Sequence, residues 1–354
     1  MKHKFKYNRT LQDAVFTKDK GKVFSCFACG GGSTLGYKLA GFDVLGCNEI
    51  DPKMIEAYKT NHNPKYAYLE PIQTFKNRKD LPKELYDLDI LDGSPPCSSF
   101  SMAGNREKDW GKEKVFREGQ SEQILDTLFF DFIDLANELK PKIVVAENVK
   151  GLLLGSAKEY VIKIYDAFDK AGYYCQHFLL DASKMGVPQR RERVFFICLR
   201  KDLSNKFLYW KDMFTEIPKI EMNFNEKEIL FKEVYTDHTD RKLSPAIQKL
   251  WHYRIDSDND IGSINERIHG KLTYFGHKFT KMNEVNKTII AGDSTILYDH
   301  PRLINKFELC KVGAYPLDYN FLNLKPHYLI GMSVPPVMTA QIASNIYDQW
   351  LSKL

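Results

Sequence analysis

A chain of 354 residues, 43% hydrophobic and 27% charged, is long enough for about two domains and apolar enough to bury a sizeable core. No run approaches the ~18 consecutive apolar residues of a membrane span, and the basic start MKHKFKYNRT lacks the apolar stretch of a secretory leader. The expected location is the cytoplasm, where seven cysteines stay reduced; a formal charge of +5 permits a polyanionic partner without requiring one.

Along the first 200 residues, short β-branched or aromatic runs alternate with longer amphipathic ones. VFSCF (23–27) reads as a strand, STLGYKLAGF (33–42) as a helix, and DVLGCNEI (43–50) as a strand again. DPKMIEAYKTNH is helical, LYDLDILDGS (85–94) a strand, and EQILDTLFFDFIDLANEL (122–139) a long helix. KIVVAEN (142–148) and RVFFICLR (193–200) are further buried strands. That rhythm predicts an α/β fold: βαβ units on a parallel sheet with helices on both faces. From about residue 201 it fades into aromatics, asparagines and mixed charges, as in DSDNDIGSINERIHGKLTYFGHKF. The expected organisation is therefore a first domain over 1–200, an irregular second over 201–324, and a helical segment, 325–354, that returns to the first. A chain that leaves one domain and comes back implies a substrate cleft.

FACGGGSTLG (27–36) opens the first helix, where glycines allow a tight turn and close approach of a ligand to free N–H groups. Glu49, about 20 residues on, stands at the end of the second strand, where a carboxylate can hold ribose hydroxyls. Together they point to a nucleoside-bearing cofactor, without separating a nicotinamide from S-adenosylmethionine. Cys26 and Cys29 form a C-x-x-C, but no second pair at zinc-ligand spacing accompanies it, so no metal is expected.

Ligands of an open parallel sheet sit beyond the carboxyl ends of its strands. Cys97, in LDGSPPCSSFSMAG, follows one such end, and Glu147 terminates another. A glutamate there is expected to have a raised pKa suited to proton donation. In GVPQRRERVF (186–195), Arg191 and Arg193 alternate and so share a face, an arrangement suited to phosphate or base edges. Alone, Cys97 reads best as a core residue; beside Glu147 and the glycine loop it reads as a nucleophile.

The order of these motifs resembles that of cytosine-5 DNA methyltransferases of the bacterial or phage restriction-modification type. FACGGG resembles the family's F-x-G-x-G-G loop, NEI the acidic motif after it, GSPPCSSFS the P-C loop, AENVKG the E-N-V motif and VPQRRER the Q-x-R-x-R motif. HPRLINKFELCKVGAYPLDYNF (300–321) and YLIGMSVPPVMTAQIA (328–343) resemble the two closing segments. Ser25 stands where the family usually has Asp, Cys29 replaces a loop glycine, Ser98 replaces Gln and Met332 replaces Asn. YLEPIQTF (68–75) lacks the usual G-D-I, so no adenine-binding acid is assigned.

The resemblance implies a Rossmann-like sheet that binds S-adenosyl-L-methionine, plus a smaller target-recognition domain over 201–324. It implies a catalytic set of Cys97, Glu147, Arg191 and Arg193. Cofactor contacts would come from Phe27, Ala28, Cys29, Gly30, Gly31, Gly32, Glu49, Ile50, Pro96, Leu128, Ser333 and Val334. Double-stranded DNA would be met by Ser98, Ser99, Arg106, Gln189 and, in KTIIAG, Thr288, with 98–119 as a lid over a flipped base. A monomer is expected, with a cognate restriction endonuclease in the same cell as a further partner. Two other readings stay open: a tRNA cytosine-5 methyltransferase, although the C-F-T tripeptide of such enzymes is absent, and an inactive DNA-binding relative.

Overall fold

A computed structural model describes residues 3–96, 127–155, 157–213, 215–238, 241–271, 273, 276–292 and 295–354, with the backbone of 113–114 and 123–124. The chain divides into two compact units. One gathers Val15–Asp181, Glu192–Asn223 and Thr339–Leu354; the other gathers Met1–Ala14, Ala182–Arg191 and Phe224–Met338.

The first unit holds a seven-stranded sheet of β1 (Lys22–Cys26), β2 (Asp43–Glu49), β3 (Tyr66–Leu69), β4 (Ile90–Gly93), β5 (Ile143–Val149), β6 (Tyr173–Asp181) and β7 (Glu192–Arg200). Its order is β3-β2-β1-β4-β5-β7-β6. The crossover helices are α1 (Gly32–Leu39), α2 (Pro52–His62), the short α3 (Ile72–Phe75), α4 (Leu128–Leu139) and α5 (Ala157–Lys170). α4 shows why these segments fold as they do: Leu128, Phe129, Phe132, Ile133, Leu135, Ala136 and Leu139 form one buried stripe at helical spacing. The helix stops where Lys140 turns left-handed ahead of Pro141. Phe129 then packs edge-to-face against Tyr160, Phe168 and Phe196, joining α4, α5 and β7 in a single core.

Two sequence expectations need correction. The long helix over 122–139 begins only at Leu128, and Gln123–Ile124 instead pair with Glu113–Lys114 as a two-residue ladder. RVFFICLR is not a parallel strand: β7 runs antiparallel to both β5 and β6. Hydrophobic alternation carries no strand direction, so the pattern could not reveal the reversal. The reversal decides where chemistry lands. A parallel β7 would begin at the sheet edge opposite the carboxyl end of β5, whereas the antiparallel one sets Arg193 opposite Val149 and Phe195 opposite Glu147. Residues 157–181, absent from the sequence reading, supply α5 and β6, the latter pairing with β7 at the sheet margin.

The unit closes with α10 (Pro336–Gln349), which straddles the division of the chain at Thr339. Trp350, just beyond it, is fully buried and donates to Lys219 O at 2.8 Å.

The second unit carries a small core of its own from Leu243, Leu250, Trp251, Ile261, Ile264, Phe279 and Ile296, built on α6 (Pro245–Trp251) and α7 (Ile261–His269). α8 (Lys306–Val312) is fixed by a capping box between Asn305 and Glu308. Arg302 meets Glu308 through both guanidinium nitrogens, at 2.8 Å each. α9 (Pro326–Met332) leads into the stretch before α10.

Candidate active site

The glycine loop leaves β1 through a backbone that ordinary residues avoid. Phe27 (φ 52), Cys29 (φ 50) and Gly31 (φ 87) all lie in the left-handed region, at a cost of about 1–3 kcal/mol for each non-glycine. Gly31 tolerates no side chain, because a Cβ there would sit 2.2 Å from His62 Nε2. Gly30, Gly31 and Gly32 are buried, Ala28 is buried, and Phe27 lays its ring near Phe132 in the core. Burial, with Lys38 adding to it, pushes the pKa of His62 down to about 3, so the imidazole is neutral at pH 7.

Glu49 ends β2 facing this loop. Its carboxylate accepts from Cys29 N (2.6 Å), Ile50 N (2.8 Å) and Asp51 N (2.9 Å). Burial raises its pKa while the three backbone donors oppose the shift. Oε1 takes two of these bonds and Oε2 one, which leaves Oε2 the larger remaining acceptor capacity. Asp51 caps α2 through Lys53 N and Met54 N, which anchors the strand-to-helix corner. The C-x-x-C is a packing feature: Cys26 is buried in β1, and Cys29 Sγ lies 3.6 Å from Met54 Sδ. Among the described residues, no group of three or more His, Cys, Asp or Glu is placed to hold a metal.

At the carboxyl end of β5, Glu147 Oε1 lies 2.9 Å from Arg193 Nε, with the Glu147 side chain 13% exposed. Arg193 is thus the charged partner of Glu147, a pairing that the sequence alone did not indicate. Asn148, which that reading quoted but gave no role, donates from Nδ2 to Pro95 O at 3.1 Å. Its Oδ1 accepts from Val149 N. The amide fastens the strand bearing Glu147 to the two prolines that precede Cys97. Pro95 is buried and Pro96 half-buried. Cys97, Ser98, Ser99 and Arg106, with the whole expected lid 98–119 apart from the backbone of 113–114, lie outside the described residues.

Sequence reasoning also passed over Asp92. This β4 carboxylate, 4% exposed, accepts from Ser25 Oγ (2.7 Å), Ser33 Oγ (2.8 Å) and Tyr37 OH (3.1 Å). Burial lifts its pKa to about 6 against those donors. The available signal was an acid inside a strand otherwise wholly apolar, ILDG.

Other residues expected at the site have the following surroundings. Leu128 is fully buried at the start of α4 and belongs to the core. Ile50 is half-buried, with its N–H held by Glu49. In the second unit Arg191 precedes β7 rather than alternating along it. Its guanidinium, on a residue 2% exposed, donates to Ile289 O (2.9 Å), Gly331 O (2.8 Å) and Ser333 O (3.0 Å). The two arginines therefore have different partners: Arg191 donates to backbone carbonyls, and Arg193 meets Glu147. Gln189, 1% exposed, accepts from Ile289 N and donates to Val312 O. Thr288 is half-buried and donates to Arg190 O at 2.6 Å. Ser333 and Val334 are buried, with Ser333 Oγ on Leu329 O. A Cβ on Gly331 would meet the Ile290 backbone at 2.5 Å, so these segments pack main chain to main chain.

Comparison with known proteins bears on this arrangement. The family model described as C-5 cytosine-specific DNA methylase matches residues 21–348. The Type II methyltransferase M.NgoPII of Neisseria gonorrhoeae is 33% identical over 350 residues, covering 92% of this chain and 95% of that protein. M.NgoFVII of the same organism is 27% identical over 360 residues, covering 96% and 90%. Among solved structures, a DNA modification methyltransferase assigned to an E. coli prophage aligns at TM-score 0.62 and 23% identity, covering 93% of this chain and 99% of that one. The Spodoptera frugiperda DNMT2 structure aligns at TM-score 0.61 and 16% identity, covering 91% and 98%.

Proposed function

The chain belongs to the C-5 cytosine-specific DNA methylase family, and from that premise we propose that it methylates carbon 5 of a cytosine flipped out of a specific duplex sequence, with S-adenosylmethionine as donor. The observation that carries the chemistry is the Glu147–Arg193 pair, joined through Asn148 to the prolines before Cys97.

The residues around the glycine loop suit the cofactor. Free N–H groups at the start of α1, the buried glycines and the remaining acceptor face of Glu49 match a ligand carrying ribose hydroxyls. When bound, that cofactor supplies an electrophilic methyl group on a sulfonium. Every other part of the reaction falls to the protein.

Carbon 5 of cytosine is a poor nucleophile. The Cys97 thiolate adds to carbon 6, consuming the 5,6 double bond and making carbon 5 enamine-like. Glu147 meets ring nitrogen 3 and delivers a proton to it as the thiolate adds, neutralising the negative charge that would otherwise develop there. Arg193, holding Oε1 of Glu147, keeps the other carboxylate oxygen aimed at the base. After methylation, loss of the carbon 5 proton to a base restores the double bond and releases the cysteine. Water is the candidate base.

Residues 224–324, which include the small core of α6 and α7, are assigned to target reading, with Thr288 near the bases; the earlier 201–223 stretch packs with the sheet unit. Unwinding the base from the duplex costs a few kcal/mol, and the 98–119 segment is its natural cover. The protein is taken to act as a monomer in the cytoplasm of a bacterial or phage-infected cell, shielding DNA from a cognate endonuclease. Bisulfite sequencing of DNA and RNA from cells expressing the chain tests this reading. Protected cytosines confined to one duplex motif are expected; none in DNA, or protection of RNA only, overturns it.

A further inference from the structure

Asp92 is a buried acid whose three partners are all neutral hydroxyls, and the catalytic scheme above does not use it. Its placement is specific. Oδ2 accepts from Ser25, two residues before the glycine loop, and from Ser33, the second residue of α1 just after that loop. Oδ1 accepts from Tyr37, one turn further along the same helix. A single carboxylate therefore grips both stems of the 26–32 turn, and Glu49 grips its apex through Cys29 N. The turn needs such holding, because Phe27 and Cys29 stay left-handed only while surrounding structure forces them to.

The register explains where the acid comes from. Ser25 on β1 and Asp92 on β4 are direct partners in the parallel ladder, so a carboxylate on either strand reaches the same space. We propose that Asp92 is the positioning residue of the cofactor loop in this chain, which presets the loop and the first turn of α1 for S-adenosylmethionine. The inference rests on the cofactor reading above. It also joins the two halves of the chemistry, since Asp92 is five residues from Cys97 on the same connection. Burial lifts the carboxyl to about 6, with the nearby charge of Glu147 adding to the shift and the three hydroxyls opposing it, so it is largely ionised at neutral pH and accepts from all three.

The exchange of the two side chains is the test. Asp92→Ser, Ser25→Asp with Asp92→Ser, and the parent are compared for S-adenosylmethionine affinity by calorimetry and for KM and kcat on duplex DNA. Loss of hydrogen bonds to a charged acceptor is expected to weaken cofactor binding about tenfold in Asp92→Ser and raise KM alike, while kcat at saturating cofactor falls less than about threefold. The double exchange is expected to recover most of the lost affinity, a rescue that a purely structural role would not give. If Asp92→Ser does not fold, Ser33→Ala and Tyr37→Phe each remove one donor and are expected to weaken binding by a smaller factor. A parent that binds cofactor while Asp92→Ser matches it, a double exchange no better than the single, or unchanged affinity in both donor variants overturns the inference. A parent that binds no S-adenosylmethionine overturns the cofactor reading itself.

Discussion

Glu147 and Arg193 meet across the β5–β7 ladder, and the partnership divides the labour at the reacting base. With Oε1 held by Arg193, the carboxyl presents its other oxygen in one orientation. Glu147→Gln keeps the shape and loses the charge, so kcat is expected to fall about 10²–10⁴-fold while calorimetric cofactor affinity stays within about twofold. A variant whose main loss is cofactor affinity would place Glu147 in the pocket instead. Arg191 belongs to a different kind of residue. Removing a buried guanidinium that satisfies three carbonyls leaves those acceptors dry, so Arg191→Ala is expected to lower stability by about 2–4 kcal/mol in chemical denaturation. A change below about 0.5 kcal/mol would contradict that role.

Two buried groups near the loop tilt stability with pH in opposite senses. Asp92 holds its proton more tightly folded, at about 6 against an ordinary 3.8, so its contribution is full below about pH 4 and fades as pH rises through 6. His62, lowered to about 3 from 6.5, contributes fully above 6.5 and loses that contribution as pH falls. Asp92→Asn removes only the first effect. Its stability is expected to climb more steeply than the parent's between about pH 4 and 6, read from urea midpoints. Parallel curves would contradict the assignment.

At the scale of elements, the fit of backbone against backbone sets the limits. A Cβ on Gly46 of β2 would lie 1.9 Å from Tyr66 O of β3, so Gly46→Ala forces those two strands apart. A loss of about 1–3 kcal/mol is expected, with a parallel loss of cofactor affinity because Glu49 ends the same strand. Stability equal to the parent's would show that β3 shifts freely. Most of these elements were legible in the sequence because burial repeats at periods of two and 3.6 residues. Direction was not: nothing in RVFFICLR encodes that β7 runs backwards, and the Glu147–Arg193 pair depends on that reversal. The division of duties within VPQRRER was hidden for a related reason. Sequence shows five polar side chains in a row, and only the fold shows that Gln189 and Arg191 donate to carbonyls while Arg193 meets a carboxylate. Asp92 escaped notice because one acid in a buried strand looks like an exception until its three donors are seen.

At the scale of the whole molecule, the sheet brings the glycine loop, Glu49, Asp92, the prolines before Cys97 and Glu147 to the carboxyl ends of β1, β2, β4 and β5. That convergence makes the motif order meaningful, since residues spread over more than a hundred positions serve one edge. In the proposed reaction, Cys97 attacks carbon 6 of a cytosine in DNA. Duplex DNA with 5-fluorocytosine at the bisulfite-mapped target blocks the final proton loss and so traps the adduct. Incubated with S-adenosylmethionine, the parent is expected to become covalently attached to that DNA, as a band shift that survives denaturation, while Cys97→Ala gives no such band. A robust covalent complex from Cys97→Ala, or none from the parent, would rule out Cys97 as the attacking group.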